Sequence, residues 1–216
     1  MPSHSTPSVY LVTDRTQTRG RPLLEVVEAA LRGGVGAVQL RERDLSAREL
    51  LELAARLREL TTRHGAALLV NDRIDVALAC GADGVHLPAN SFTVRDARAL
   101  LGPQRLIGVS THHTDEVAVA AAEGADFAVF GPIFATPSKE VYGQPLGVDA
   151  LARASQMTSL PVLAIGGVTA ACAPELRARG ARGVAVIRAI LSADDPEAAA
   201  RELVRSTEGR RPEHLD

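Results

Sequence analysis

One short signature recurs four times along the chain: a glycine, two residues, a glycine or aromatic, then an apolar run. It reads Gly33-Gly-Val-Gly36 before Ala37–Leu40, Gly81-Ala-Asp-Gly84 before Val85–Leu87, Gly124-Ala-Asp-Phe127 before Ala128–Phe130, and Gly180-Ala-Arg-Gly183 before Val184–Ile187. Each copy has the form of a helix C-cap glycine turning tightly into a buried parallel strand. The leading glycines lie 48, 43 and 56 residues apart, room for two strand–helix units per interval. Four double units make eight, and eight parallel strand–helix units close on themselves. The fold class this predicts is α/β, a single (β/α)8 TIM barrel.

The segments between the copies agree. Val9–Asp14, Ala37–Glu42, Ala67–Asp72, Val85–Leu87, Leu106–Ser110, Phe127–Gly131, Pro161–Ile165 and Val184–Ile187 are short, nearly all apolar, and separated by helical patterns. Such strands expect cover on both faces. The clearest helix start is Ser46-Ala-Arg-Glu49, a capping box followed by Leu50, Leu53, Ala54, Leu57 and Leu60 at helical spacing. An open doubly wound sheet is the alternative. Its dinucleotide-binding form expects a Gly-x-Gly-x-x-Gly turn after the first strand, which this chain lacks.

At 216 residues, the chain reads as one domain over 1–216, with residues 1–7 and 208–216 as flexible ends. A formal net charge of −2 leaves no basic excess for a nucleic-acid backbone, and 3% aromatics leave no stacking platform. No apolar run is long enough for a membrane span, and no secretory leader is apparent. Cys80 and Cys172 lack metal-ligand spacing and read as reduced thiols of a cytoplasmic protein.

In such a barrel the functional mouth lies at the strand C-termini. The second strand ends in Gln39-Leu-Arg41-Glu-Arg43, whose alternate residues Gln39, Arg41 and Arg43 would share one direction. Two guanidiniums and an amide suit a phosphorylated ligand. Asp72, in Asn71-Asp72-Arg73, would either bind a metal or balance Arg41. Gly166-Gly167 lets backbone approach a ligand where this fold usually cradles phosphate. Ser110, Thr111, His112 and His113 follow the fifth strand, and one histidine there is a candidate proton carrier. Thr136-Pro-Ser138-Lys139 offers two hydroxyls and an ammonium. His86 reads as a packing residue, and no Ser-His-Asp order or zinc cluster is present.

These segments resemble thiamine phosphate synthases and their TenI-type relatives over nearly the whole chain. The carrying motifs are Gln39-Leu-Arg-Glu-Arg43, Asn71-Asp72-Arg73, Gly84-Val-His-Leu87, Gly108-Val-Ser-Thr-His112, Gly131-Pro-Ile-Phe134, Thr136-Pro-Ser-Lys139 and Ala164-Ile-Gly-Gly167. The resemblance implies that Gln39, Arg41, Arg43, Asn71 and Lys139 hold a pyrimidine diphosphate, with Ser110 beside it. Thr136, Ser138, the backbone at Gly166 and Gly167, and the Ile187-Arg188 turn would hold a thiazole phosphate.

The chain departs from the synthase pattern at two positions. Arg43 stands where synthases carry lysine. Ser91, in Pro88-Ala-Asn-Ser91, stands where they carry the second of two Mg2+-binding aspartates, Asp72 matching the first. A neutral hydroxyl is a weak Mg2+ ligand. The Pro-x-x-Ser segment resembles the TenI branch, thiazole tautomerases that need no metal. The first expectation is therefore an isomerase with His112 moving the proton and no cofactor required. The alternatives are a synthase using Mg2+ and a non-catalytic thiazole phosphate-binding regulator. Partners are expected to be small phosphorylated ligands, with neither nucleic acid nor membrane, and the sequence is compatible with a homo-oligomer.

Overall fold

Eight parallel strands pair in chain order, and the eighth returns to the first, closing a barrel. The computed structural model describes residues 6–135 and 144–208. The strands are β1 (Val9–Val12), β2 (Ala37–Leu40), β3 (Ala67–Asn71), β4 (Gly84–Leu87), β5 (Leu106–Thr111), β6 (Phe127–Phe130), β7 (Val162–Ile165) and β8 (Gly183–Val186). Val9 pairs with Val184 and Leu11 with Val186 at the closing seam. Helices α1 (Leu23–Arg32), α2 (Ala47–Arg63), α3 (Ile74–Ala79), α4 (Val94–Leu101), α5 (Thr114–Glu123), α6 (Gly147–Gln156), α7 (Ala173–Ala178), α8 (Arg188–Leu191) and α9 (Pro196–Glu208) surround the barrel.

Alternation along each strand divides the core in two. Val38 and Leu40 of β2 face outward into the shell shared with the helices, where α1 contributes Val26, Val27 and Ala30. Ala37 belongs instead to a smaller inner cluster with Tyr10, Leu69, Phe127, Val129 and Leu163. Strand register thus sends apolar residues both ways, and the inner set fills the barrel rather than leaving a pore.

The recurring glycine signature has three physical parts. Gly81, Gly124 and Gly180 take left-handed φ values of +66°, +88° and +97°, ending the preceding helix. In the first copy this role passes to Gly34, at φ +98°, and Gly33 stays right-handed. Gly33 is required for closeness: a Cβ there would lie 2.5 Å from the Glu197 carbonyl oxygen, where α1 meets α9 and the helical ring closes. The aspartates of the second and third copies supply the last part. Asp83 accepts the Leu68 N–H at 2.8 Å and a bond from Arg58 of α2, while Asp126 accepts the Ile107 N–H at 2.7 Å and a bond from Arg98 of α4. Each carboxylate fastens the start of the preceding strand, β3 or β5, to the helix before that strand, α2 or α4.

The element order matches the sequence expectation, with two local corrections. β1, β2 and β3 stop short of Asp14, Glu42 and Asp72: Asp14 caps the turn Arg15–Gln17, Glu42 turns back onto Arg15, and Asp72 takes a left-handed φ of +65°. The four-residue α8 is an addition, too short to leave a periodic pattern. Of the ends expected to be flexible, 1–7 and 208–216, part is described, and residues 1–5 and 209–216 lie outside the described residues. Thr6 and Pro7 are described, the Pro7 carbonyl oxygen lying 2.5 Å from where a Gly183 Cβ would sit, and α9 continues through Glu208.

Candidate active site

Because all strands run the same way, everything beyond their C-terminal ends shares one rim. Arg41 and Arg43 follow β2, Asp72 follows β3, Ser91 follows β4, His112 follows β5, Gly166-Gly167 follows β7 and Ile187-Arg188 follows β8. Thr136, Ser138 and Lys139, from the loop after β6, lie outside the described residues.

A cavity of about 320 Å³ on this rim is lined by Glu42, Arg43, Asn71, Asp72, Arg73 and Asn90, among others. Glu42 and Arg43 are sequence neighbours and both line it. The alternation expected to carry Gln39, Arg41 and Arg43 in one direction therefore ends with the strand at Leu40. Gln39 instead points into the barrel, 3% exposed, while Arg43 is exposed. Glu42, not singled out from the sequence, is buried, and both its oxygens accept the Arg15 N–H, at 3.1 and 3.3 Å. The Arg15 guanidinium also donates to it at 3.1 Å, which neutralises the buried charge and ties the end of β2 to the turn after β1.

Asp72 adopts a left-handed backbone, φ +65°, which is uncommon for a residue with a side chain. Its N–H donates to the His86 carbonyl at 2.9 Å, and its Oδ1 accepts a hydrogen bond from the Ser91 hydroxyl. Arg73 is engaged elsewhere, its Nε donating to Asp75 at 2.8 Å, and this pair holds the Asp75 carboxyl below its ordinary range. The loop after β4 therefore delivers Ser91 to the Asp72 carboxylate, with Arg43 and Asn71 on the same cavity.

His112 is half-buried. Its ring Nδ1 lies 2.6 Å from the Gly131 carbonyl oxygen, an acceptor, so Nδ1 carries a hydrogen and donates it there. Glu116 accepts the backbone N–H groups of both His112 and His113, at 2.6 and 3.2 Å. His113 is the exposed N-cap of α5.

Gly166 and Gly167 have φ values of +98° and +66°. A Cβ on Gly166 would fall 2.6 Å from Pro132 Cα, and one on Gly167 would fall 2.7 Å from Phe134 Cβ. Protein packing already demands both glycines, and the Phe134 N–H donates to the Gly166 carbonyl at 3.1 Å. Arg188 is exposed at the start of α8, directly after Ile187.

Beneath the rim, four neutral polar groups link Gln39 to Ser110 across the lumen. Gln39 Nε2 donates to the Tyr10 hydroxyl at 3.2 Å, which lies 3.5 Å from His86 Nδ1, and His86 Nε2 lies 2.9 Å from Ser110 Oγ. Burial lowers the His86 pKa to about 3, with the nearby Arg41 guanidinium adding to the effect, and burial raises that of Tyr10. His86 is thus more than a packing residue. The missed signal was that Tyr10 of β1 and His86 of β4 are polar side chains inside strands flanked by Gln39 of β2 and Ser110 of β5, which the sequence had singled out.

Among the described residues, no group of three or more His, Cys, Asp or Glu side chains could enclose a metal, and no helix is long and apolar enough to cross a membrane. Mg2+ usually takes one or two carboxylates, keeps several waters and shares substrate phosphates. Asp72 beside the Ser91 hydroxyl fits a Mg2+ ion of that kind, one completed by a bound diphosphate.

The chain matches the family model described as thiamine monophosphate synthase over residues 9–190. A Geobacter sulfurreducens relative, provisionally assigned as a thiamine-phosphate synthase, is 56% identical over 197 residues, covering 91% of this chain and 92% of its own. A thiamine-phosphate synthase of Chloroflexus aurantiacus is 47% identical over 195 residues, covering 90% of each chain. A solved thiamine phosphate pyrophosphorylase from Pyrococcus furiosus superposes with a TM-score of 0.84 at 35% identity, covering 93% of this chain and 95% of that one. These names carry the transfer reaction, so the expectation that placed isomerisation first is not supported. Barrel, rim and relatives agree that this chain belongs to the thiamine monophosphate synthase family of thiamine biosynthesis.

Proposed function

We propose that the protein is a thiamine-phosphate synthase, joining hydroxymethylpyrimidine diphosphate to a thiazole phosphate with release of diphosphate. One observation carries this reading. The Ser91 hydroxyl, at the position where synthases place their second aspartate, meets the Asp72 carboxylate directly. Replacing Asp by Ser leaves the local geometry of a two-residue site and removes one negative charge. The identities of the relatives support the same reading.

In the transfer, the bond between the pyrimidine methylene carbon and the diphosphate oxygen breaks, its electron pair leaving with diphosphate. The thiazole nitrogen lone pair forms the new C–N bond. Arg41, Arg43, Asn71 and Lys139 are proposed to hold the diphosphate end, and Gln39 and Ser110 the pyrimidine. The Gly166-Gly167 backbone, Thr136, Ser138 and the Ile187-Arg188 turn are proposed to hold the thiazole phosphate. Cationic donors fixed before the reaction stabilise charge developing on the leaving group without reorganising solvent. Mg2+ held by Asp72 and Ser91 would supply further neutralisation of that charge. No proton need leave carbon, so His112 is not an obligatory base.

The test is incubation of the purified protein with both precursors and Mg2+, following thiamine phosphate and diphosphate. Equal amounts of the two products are expected. Turnover of the thiazole carboxylate phosphate to its aromatic isomer, with no thiamine phosphate formed, would restore the isomerase reading.

A further inference from the structure

The carboxylates on the rim cavity, and those within two residues of its lining, all have partners other than Arg43. Glu42 and Asp44 are held by Arg15, Asp72 by the Ser91 hydroxyl, and Asp75 by Arg73. Arg43 lines the same cavity as Glu42 and Asp72. It is exposed, and among the described residues it pairs with no carboxylate.

Glu42 depends on its partner most. Its side chain is 3% exposed, against 67% for Asp44. It directly precedes Arg43, and both reach the cavity. A buried carboxylate deprived of its partner is costly to leave alone. Here it would draw the Arg43 guanidinium away from an anionic ligand, or repel the ligand's phosphates.

The local structure is built to keep Arg15 on Glu42. The Arg15 N–H meets both Glu42 oxygens, and the guanidinium reaches Glu42 at 3.1 Å and Asp44 at 2.6 and 2.5 Å. Asp14 caps the turn Arg15–Gln17 that carries it, accepting the Thr16 N–H at 3.0 Å. The Arg41 N–H donates to the buried Thr13 hydroxyl at 2.9 Å. The segment after β1 is thus joined to the segment after β2 before, at and beyond Glu42. Arg15 itself is not among the residues lining the cavity.

We propose that Arg15 is a positioning residue that keeps the buried Glu42 charge engaged away from Arg43, so that Arg43 meets the substrate diphosphate and not a neighbouring carboxylate. The inference rests on the transferase reading, which puts a diphosphate at Arg43.

The probe is inorganic diphosphate with saturating Mg2+, titrated into the full chain by calorimetry at fixed ionic strength. Wild type is expected to bind it. Arg15→Gln keeps a donor for Glu42 but removes the charge, and affinity should fall about 10-fold or more. Adding Glu42→Gln removes the released carboxylate while keeping an acceptor, and should restore affinity to within about 3-fold of wild type. Adding Asp44→Asn instead restores the same net charge at an exposed carboxylate off the cavity, and should leave the loss in place. Arg15→Lys retains the charge, should stay within about 3-fold of wild type, and keeps the test decisive should Arg15→Gln not fold. In turnover, Arg15→Gln should raise KM for the pyrimidine diphosphate about 10-fold and leave KM for the thiazole phosphate within about 2-fold. Four results would overturn the proposal: no binding by wild type, wild-type affinity in Arg15→Gln, a loss in Arg15→Lys, or equal rescue by Glu42→Gln and Asp44→Asn. So would a double variant with Glu42→Gln no better than Arg15→Gln alone, the outcome of a purely structural brace. The expected binding pattern without coupling would count against the transferase reading and leave the role of Arg15 standing.

Discussion

At the scale of single residues, the proposed transfer centres on Asp72, a carboxylate on a left-handed backbone with a serine hydroxyl against it. Asp72→Asn keeps the shape and removes the charge. In a Mg2+-dependent assay it should lower kcat by roughly 10²-fold or more, the scale of a lost electrostatic stabiliser. Ser91→Asp supplies the missing charge and should lower the Mg2+ concentration for half-maximal rate about 10-fold, equivalent to ~1.4 kcal/mol. His112→Ala separates the two reactions of the family: loss of an obligatory base would cost about 10²–10⁴-fold, whereas the transfer reading expects under about 10-fold. The buried imidazole of His86 makes a separate, pH-linked prediction. Its folded pKa of about 3 lies below the unfolded value, so acidification favours the unfolded state, which takes up the proton. Stability should fall as pH drops below about 6.5, by at most ~1.4 kcal/mol per pH unit from this group, levelling near the folded pKa. Denaturant titrations of wild type and His86→Asn from pH 7 to 4 should show the difference between them shrinking with acid. The sequence pointed to Asp72 and Gln39, because charge and amide groups at the ends of apolar strands need a polar destination, while Ser91 stood out only through the family resemblance. It concealed the contacts of His86, because a polar residue inside a strand looks the same whether it only packs or also joins a hydrogen-bond chain across the lumen.

At the scale of elements, the local signals that bound them were legible where one residue type performs one task. Ser46 accepts the Glu49 N–H at 3.4 Å and its own N–H donates to the Glu49 carboxylate at 2.9 Å, the reciprocal cap read from Ser46-Ala-Arg-Glu49. Ser46→Ala should cost about 1 kcal/mol in chemical unfolding and leave kcat unchanged, since the cap stands clear of the lumen. The glycine repeats located the helix-to-strand turns, but not the one-residue shift in the first copy. That shift follows from contact between α1 and α9, nearly the full chain apart in sequence. The aspartate clamps at Asp83 and Asp126 were hidden for the same reason, their partners being a strand N–H and an arginine from a preceding helix.

At the scale of the whole molecule, barrel closure converts eight separate strand ends into one rim, which gathers the candidate residues that the sequence scatters over 150 positions into one neighbourhood. Composition could not choose between two reactions that use the same rim and the same phosphate. That choice turns on one charge, present or absent, beside Asp72. The most direct measurement is the Mg2+ dependence of thiamine phosphate formation in wild type and Asp72→Asn, with diphosphate release recorded in parallel. Wild type should form both products in equal amounts only with Mg2+, and Asp72→Asn should lose both together. Aromatisation of the thiazole carboxylate phosphate by both proteins, without Mg2+ and without diphosphate release, would contradict the account.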